Sequence, residues 1–352
     1  MIFRASAPLL LLLACVYSAK ACTQILLPAP GGDVVIANTI EAGDFVEQHG
    51  GHFVHTFLRG DVAGGGRAKG CGGDCIREAV VESGNSTNHC ATFRAKYGYV
   101  GGMNEKGLVV QHHSLFLTQY EEIIPGEFGI CARDFDQWAL SSFASVAEVT
   151  AALDSEVRPR IIADPLDVPD RRQFMWGVVD ATGAAIVVEF VKGLVHIHNN
   201  TAIGLLTNDP TWEWHVANVN NYVAMTPGWY QNSNAGMQIP VADKWYPWTT
   251  NAFSPGPPVV PSPIAHAQNM LGLPGDGSPA SRFVRGFFLR AYALHGNPPD
   301  NLEDVLILGQ ELLNAVYKVK GTIPGKDSDD PIETTPIATL SIPATMATCR
   351  NW

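Results

Sequence analysis

The stretch QFMWGVVDATGAAIVVEFVKGLVHIHN, from Gln173 to Asn199, constrains the fold of this chain most. Its runs are β-branched and aromatic, and they break at Asp180–Gly183 and at Lys192-Gly193. That pattern predicts a three-strand meander. Strands joined by turns this short must run antiparallel, because a parallel return needs a long crossover. The rest of the chain agrees. Residues 23–60 predict short strands, DVVIANTI (Asp33–Ile40) most clearly, and GYVGGMNEKGLVVQHH from Gly98 predicts two more about a turn at Asn104-Glu105-Lys106-Gly107. Ser145–Val157 predicts a helix, with Ser145 and Glu148 as a capping box and Val146, Val149 and Leu153 on one face. Residues 211–223, 281–295 and 301–319 have helical spacing. Residues 60–76 are glycine-rich and 254–264 proline-rich, so both predict loops. Strands and helices do not alternate as they would around a parallel sheet. The order favours antiparallel sheets covered by helices.

The start of the chain carries a second constraint. Residues 1–17, MIFRASAPLLLLLACVY, have a basic Arg4 followed by an apolar run too short to span a bilayer. Ala19-Lys20-Ala21 then places small residues where a signal peptidase reads. Residues 1–21 are expected to be a secretory signal peptide, and residues 22–352 a single domain. The expected location is outside the cytoplasm, secreted or in a periplasm or endomembrane lumen. An uncleaved anchor and a lipid-modified Cys22 are the competing readings, the second weakened by Ala19 and Lys20 in the positions a lipoprotein signal reads.

Composition narrows the partners. The apolar fraction is 46% and the charged fraction 16%, as in a folded globular protein. The net charge of −11 falls to about −13 once Arg4 and Lys20 are removed, and an acidic surface argues against nucleic acid or anionic membrane. Of the 7 cysteines, Cys15 would leave with the signal peptide. Those remaining would normally pair after export, with Cys71–Cys75 or Cys71–Cys90 as candidates. If Cys22 keeps its thiol, an odd number is left over.

Cleavage before Cys22 would put a thiol and an α-amine on one residue. The amine has a pKa near ~7.7–8.0, so it can take the thiol proton at neutral pH and leave a thiolate nucleophile. Attack on an amide carbonyl gives an oxyanion that needs donors already in place. The plain alternative is a Cys22 that is half of a disulfide or a buried apolar residue.

Four blocks raise the catalytic reading: GGMNEKGLVV (Gly101–Val110), VVDATGAAIVVEF (Val178–Phe190), LLTNDPTWEWHVANVNNY (Leu205–Tyr222) and GLPGDGSPASRFVR (Gly272–Arg285). In this order, behind an N-terminal cysteine, they resemble the choloylglycine hydrolase family of linear amide C–N hydrolases, which includes bile salt hydrolases and penicillin V acylases. The resemblance spans roughly residues 22–320 and is weak between 45 and 95. It implies an α+β fold of the N-terminal-nucleophile kind, two antiparallel sheets sandwiched between helix layers. It implies Cys22 as nucleophile and, through its amine, base. It implies Asn208 as a side-chain oxyanion donor, Asn104 as a backbone N–H donor to the same hole, and Arg282 as a permanent charge steadying the thiolate. Where the family usually has an arginine and then an aspartate, this chain has Asn38 and Glu41 in ANTIE. Glu41 keeps a carboxylate for the α-ammonium. Asn38 loses a cation beside the thiol. Taken singly, Asn104 and Asn208 could be turn residues and Arg282 a surface charge.

The resemblance implies a small-molecule N-acyl amide substrate, a bulky apolar acyl group on a small polar amine, and no cofactor, metal or stable membrane insertion. It leaves homo-oligomer formation open. HHSLFLTQY (His112–Tyr120) and GICARDFDQWAL (Gly129–Leu140) are candidate acyl-pocket stretches, with ordinary core as the alternative. Two other functions compete. One is a non-catalytic binding protein on the same fold, supported by Asn38. The other is a metal-binding module using His49, His52, His55, Cys71, Cys75, His89 and Cys90, although their spacing matches no usual zinc site.

Overall fold

The computed structural model describes residues 22–41, 53–57, 90–95, 98–122, 129–163, 173–222, 225, 238–241, 244–247, 272–296, 298–317 and 334–342. In chain order the strands and helices are β1 (Thr23–Pro28), β2 (Val34–Glu41), β3 (Phe53–Phe57), β4 (Cys90–Ala95), β5 (Gly98–Asn104), β6 (Val109–Ser114) and β7 (Gly129–Cys131), then α1 (Phe135–Ser142) and α2 (Val146–Asp154). There follow β8 (Arg160–Ile162), β9 (Phe174–Val179), β10 (Ala185–Val191), β11 (Leu194–Asn199), β12 (Leu205–Leu206) and α3 (Trp212–Val219). The chain continues with β13 (Gln238–Val241), β14 (Lys244–Pro247), α4 (Pro279–Gly296), α5 (Leu302–Ala315) and β15 (Thr334–Ile342).

Two antiparallel sheets carry the fold. One has four strands in the order β12-β1-β2-β15, the other seven in the order β11-β10-β9-β6-β5-β4-β3. The predicted meander forms β9, β10 and β11, and its turns close with Gly183 at φ 83° and Gly193 at φ 73°, backbone that glycine adopts without strain. The predicted helix at 145 begins as expected: the Ser145 hydroxyl accepts from the Glu148 N–H, and the Glu148 carboxylate accepts from the Ala144 N–H.

Strand alternation sorts the apolar side chains into three layers of core. On β1 and β2, Ile25, Leu27, Val35 and Ala37 pack with Trp212, Phe283, Phe287 and Leu312 of the α3, α4 and α5 layer. Leu26, Val34 and Ile36, of opposite parity, meet Val109, Val179 and Ala185 between the two sheets. Val110, Trp176, Val178 and Val188 face outward onto Phe135, Trp138, Val149 and Leu153 of α1 and α2. The arrangement is the expected helix–sheet–sheet–helix sandwich.

Candidate active site

Cys22 stands at the start of β1, with 6% of its surface exposed, and its sulfur is a thiol, outside any disulfide. Arg282 is fully buried and reaches it from α4. Its Nη1 donates to the Cys22 carbonyl at 2.6 Å and to the Thr23 hydroxyl at 2.7 Å, its Nη2 to Asn208 Oδ1 at 2.8 Å, and its Nε to the Gly277 carbonyl at 3.2 Å. A guanidinium offers these donors in a fixed plane, so one side chain sets Cys22 against Asn208. Arg290 lies two turns further along α4 and donates to the Leu26 carbonyl at 2.6 Å. Burial lowers its pKa to about 10, still well above neutral, so it remains a cation. Two buried arginines on one helix thus pin both ends of β1.

The sequence around Arg282 explains how it is delivered. Asp276 accepts from the Ser278 N–H at 2.8 Å and from the Ser281 hydroxyl, which caps the entry to α4. Hydrogen bonds from Ser278 and Ser281 hold the Asp276 carboxyl down at a pKa of about 2. Pro279 occupies the first helical position, where its missing N–H costs nothing. The helix therefore starts at a fixed residue, and Arg282 falls on its inner face.

Asn208 follows β12 and is 4% exposed. Its Oδ1 is occupied by Arg282, which fixes the amide orientation, and one Nδ2 hydrogen goes to the Ser114 carbonyl at 3.0 Å. The second Nδ2 hydrogen is the donor this residue can offer. The Asn208 backbone carbonyl accepts from His215 Nε2 at 2.8 Å, and the His215 ring stacks on Phe283 at 4.8 Å. His113 Nδ1 donates to the neighbouring Thr207 carbonyl at 2.8 Å. Desolvation lowers both imidazoles, His113 to about 3 and His215 to about 4, so both rings are neutral at physiological pH.

Cys22, Asn208 and Arg282 are brought together. Asn104 is not in position for the role expected of it. Its backbone N–H donates to the Leu108 carbonyl at 3.0 Å, and its side chain ties the β5–β6 turn to α1, donating to the Leu140 and Phe143 carbonyls and accepting from Lys106 and Leu108. Every donor of Asn104 is spent on the hairpin and the helix behind it, which corrects the expectation that it serves an oxyanion. The Glu41 side chain lies outside the described residues; its backbone ends β2 and pairs with Thr334. Asn38 is buried, opposite Gln24 in the β1–β2 register, and so diagonal to Cys22 on the same face.

Of the acyl-pocket stretches, Gly129–Leu140 goes mainly to core: Phe135 and Trp138 pack in the layer behind the larger sheet. The other stretch divides. Leu115 is buried, while Phe116 and Leu117 are 71% and 50% exposed, just past the Ser114 that holds Asn208. Among the metal candidates, the backbones of His55 and Cys90 lie in β3 and β4, and the rest fall outside the described residues. Among the described residues no cluster of His, Cys, Asp or Glu could hold a metal ion. No described helix is long and apolar enough to cross a membrane. Sequence reasoning missed His113, His215, Thr207 and the Ser114 carbonyl. Their residue types sat in the quoted blocks, but only the hydrogen bonds between the two sheets show that HHS and TND meet.

The family model for linear amide C–N hydrolases of the choloylglycine hydrolase family matches residues 89–242. A bile salt hydrolase/transferase of Clostridium perfringens is 33% identical over 231 residues, 64% of this chain and 60% of that protein. A conjugated bile acid hydrolase of Lactobacillus acidophilus is 24% identical over 230 residues, 65% of this chain and 63% of that protein. The chain thus matches under two thirds of the length of these curated relatives. Among solved structures, a mutant conjugated bile acid hydrolase from Clostridium perfringens superposes with a TM-score of 0.65 at 24% identity, over 91% of this chain and 85% of that one. Penicillin V acylase from Agrobacterium tumefaciens gives 0.62 at 18% identity, over 89% and 77%. The solved structures speak for the fold alone, and the family match over residues 89–242 together with these relatives shows that this part of the chain is similar to the linear amide C–N hydrolases of the choloylglycine hydrolase family.

Proposed function

We propose that this protein is an exported N-terminal cysteine hydrolase that cleaves a linear amide between an apolar acyl group and a small polar amine. The observation that carries the reading is the Arg282 fork, which joins the Cys22 carbonyl to the Asn208 side-chain oxygen in a buried site. Cleavage after Ala21 frees the Cys22 amine. The amine takes the thiol proton, and the thiolate attacks the amide carbonyl carbon. A C–S bond forms, and the oxyanion is met by the second Nδ2 hydrogen of Asn208. As the C–N bond breaks, the α-ammonium returns its proton to the leaving amine. Water then attacks the thioester, gives its proton to the Cys22 amine, and the acid departs as the thiol is restored. Glu41 is assigned to hold the α-ammonium, and Arg282 to fix strand and oxyanion donor together. The exposed Phe116 and Leu117 are assigned to the rim that receives the acyl group.

Support for substrate and location comes from several sides. The matched relatives are named for bile salts and conjugated bile acids, and the structural neighbours include a penicillin V acylase. Cys131 is disulfide-bonded, which suits an oxidising compartment. The test has two arms. N-terminal sequencing of exported protein should read Cys22 first with an unmodified amine, and a start at Met1 or an acylated Cys22 would overturn the mechanism. The mature protein should then hydrolyse members of a panel of N-acyl amides with apolar acyl groups. A panel left intact by correctly processed protein would favour a binding protein on this fold.

A further inference from the structure

Nothing in the proposed chemistry uses His113, yet its position is unusual. On β6, Val109 joins the core between the sheets and Val110 the core behind them, so His113 has the parity of the inter-sheet face. His112 confirms the alternation: its ring points the other way and pairs with Asp136 of α1 at 2.7 Å. On β1, Leu26 faces the inter-sheet layer and Thr23 turns to α4, so Cys22 has the inter-sheet parity too. His113 and Cys22 therefore look into the same dry layer from opposite sheets. Burial is the largest cause that lowers the ring's pKa; the Arg282 charge lowers it further and the Cys22 backbone raises it, as groups close to the ring do.

The ring is fully buried, and its two nitrogens are unequal. The Thr207 carbonyl can only accept, so Nδ1 must carry the hydrogen. Nε2 of the neutral ring is left with a lone pair, and among the described residues it has no hydrogen-bond partner. A buried acceptor without a donor is costly, because it has given up its hydrogen bond to water for nothing. Four of the five donors of Arg282 are directed to Cys22, Thr23, Asn208 and Gly277. The groups described around the ring are Cys22 on β1, Arg282 on α4, His112 on β6 and Thr207.

We propose that His113 is a positioning residue for the mature Cys22: its Nε2 accepts a hydrogen bond from the Cys22 α-ammonium and so favours the thiolate–ammonium pair over the neutral thiol and amine. The inference rests on Cys22 being the mature N-terminus. His113 is no base for the thiol, because burial, first among several causes, holds its pKa at about 3, far below that of a thiol. A neutral acceptor is what an ammonium needs in a dry site. The same ring also holds the Thr207 carbonyl, so it spans the strand of the nucleophile and the segment of the oxyanion donor.

The test uses the mature protein and two variants. His113→Asn can keep a donor for the Thr207 carbonyl but has no acceptor where Nε2 stood. His113→Gln can place an amide oxygen near that point and gives up the Thr207 bond. The readout is the rate of iodoacetamide labelling of Cys22 against pH, assigned by peptide mapping, with kcat and KM on any hydrolysed amide. A hydrogen bond to a charged group is worth enough that His113→Asn should move the Cys22 curve up by about one pH unit, roughly tenfold in thiolate at a given pH. His113→Gln should recover part of the shift, and kcat should fall with KM little changed. Coincident curves for folded His113→Asn and wild type would overturn the proposal and leave the ring only its Thr207 anchor. The nitrogen NMR spectrum of the wild-type ring gives a check that needs no variant to fold. An unprotonated Nε2 is expected, and an Nε2–H tautomer would overturn the proposal. Labelling reads Cys22 without substrate, so a protein that hydrolyses no amide would refute the proposed activity while these curves still decide the role of His113.

Discussion

At the residue scale the account rests on a few buried polar groups whose donors and acceptors can be counted. Asn208 has its oxygen on Arg282 and one amide hydrogen on Ser114, which leaves one hydrogen for the reaction. Asn208→Ala should lower kcat by about 10²–10³, the usual cost of one oxyanion donor. A fall in substrate affinity alone, at matched melting temperature, would move Asn208 from chemistry to binding. Asn38 tests the opposite case, a group the family pattern would make a cation. It sits diagonal to Cys22, and its Oδ1 has no hydrogen-bond partner among the described residues. Diagonal neighbours on paired strands have Cβ atoms about 7–8 Å apart or somewhat less, within reach of an arginine. Asn38→Arg should lower the Cys22 thiol pKa and shift its iodoacetamide labelling curve to lower pH. A folded variant whose curve matches wild type would show that position 38 does not face the thiol.

At the scale of elements, the site depends on how closely two sheets approach. Gly177 on β9 lies under Gln24 of β1, and a Cβ there would come to 2.0 Å from Gln24 Oε1. Gln24 is buried, two residues after Cys22, so it has little room to retreat. Gly177→Ala should cost about 1–3 kcal/mol by overpacking, read as a lower melting temperature, and should slow turnover by displacing the start of β1. An unchanged melting temperature would mean that the sheets separate freely at this point. The elements themselves were largely legible. The meander, the capped helix at 145 and the helix at 301 follow from local periodicity and turn chemistry, and each forms near its expected bounds. What local pattern could not give was the pairing of distant segments. Asn104 and Asn208 look alike in sequence, as asparagines in turn-like settings. Only the hydrogen bonds show one holding a hairpin to α1 and the other meeting Arg282. His113 was hidden for the same reason, because its partner Thr207 is far along the chain.

At the scale of the whole molecule, the sandwich buries two neutral histidines beside the site, and this couples stability to pH. His113 and His215 have pKa values of about 3 and about 4 in the fold, against 6.5 for an ordinary histidine. Below pH 6.5 the unfolded chain takes up protons that the native rings refuse. The stability they allow is therefore fully present above that pH and is lost as pH falls toward 4 and then 3. Each ring costs up to about 1.4 kcal/mol per pH unit in that window. The melting temperature should drop between pH 7 and 5, before carboxylates titrate. A melting temperature level across that range would contradict the buried, neutral state of both rings.

The central claim is that Cys22, as the first residue of the mature chain, is the nucleophile. Its most direct measurement is amide hydrolysis by mature wild type and by mature Cys22→Ala, on one hydrolysed N-acyl amide and at matched melting temperature. The account predicts that turnover disappears in the variant while the fold persists, since the Arg282 bond to the residue 22 carbonyl needs no side chain there. A folded Cys22→Ala protein that turns over the amide as fast as wild type would contradict it.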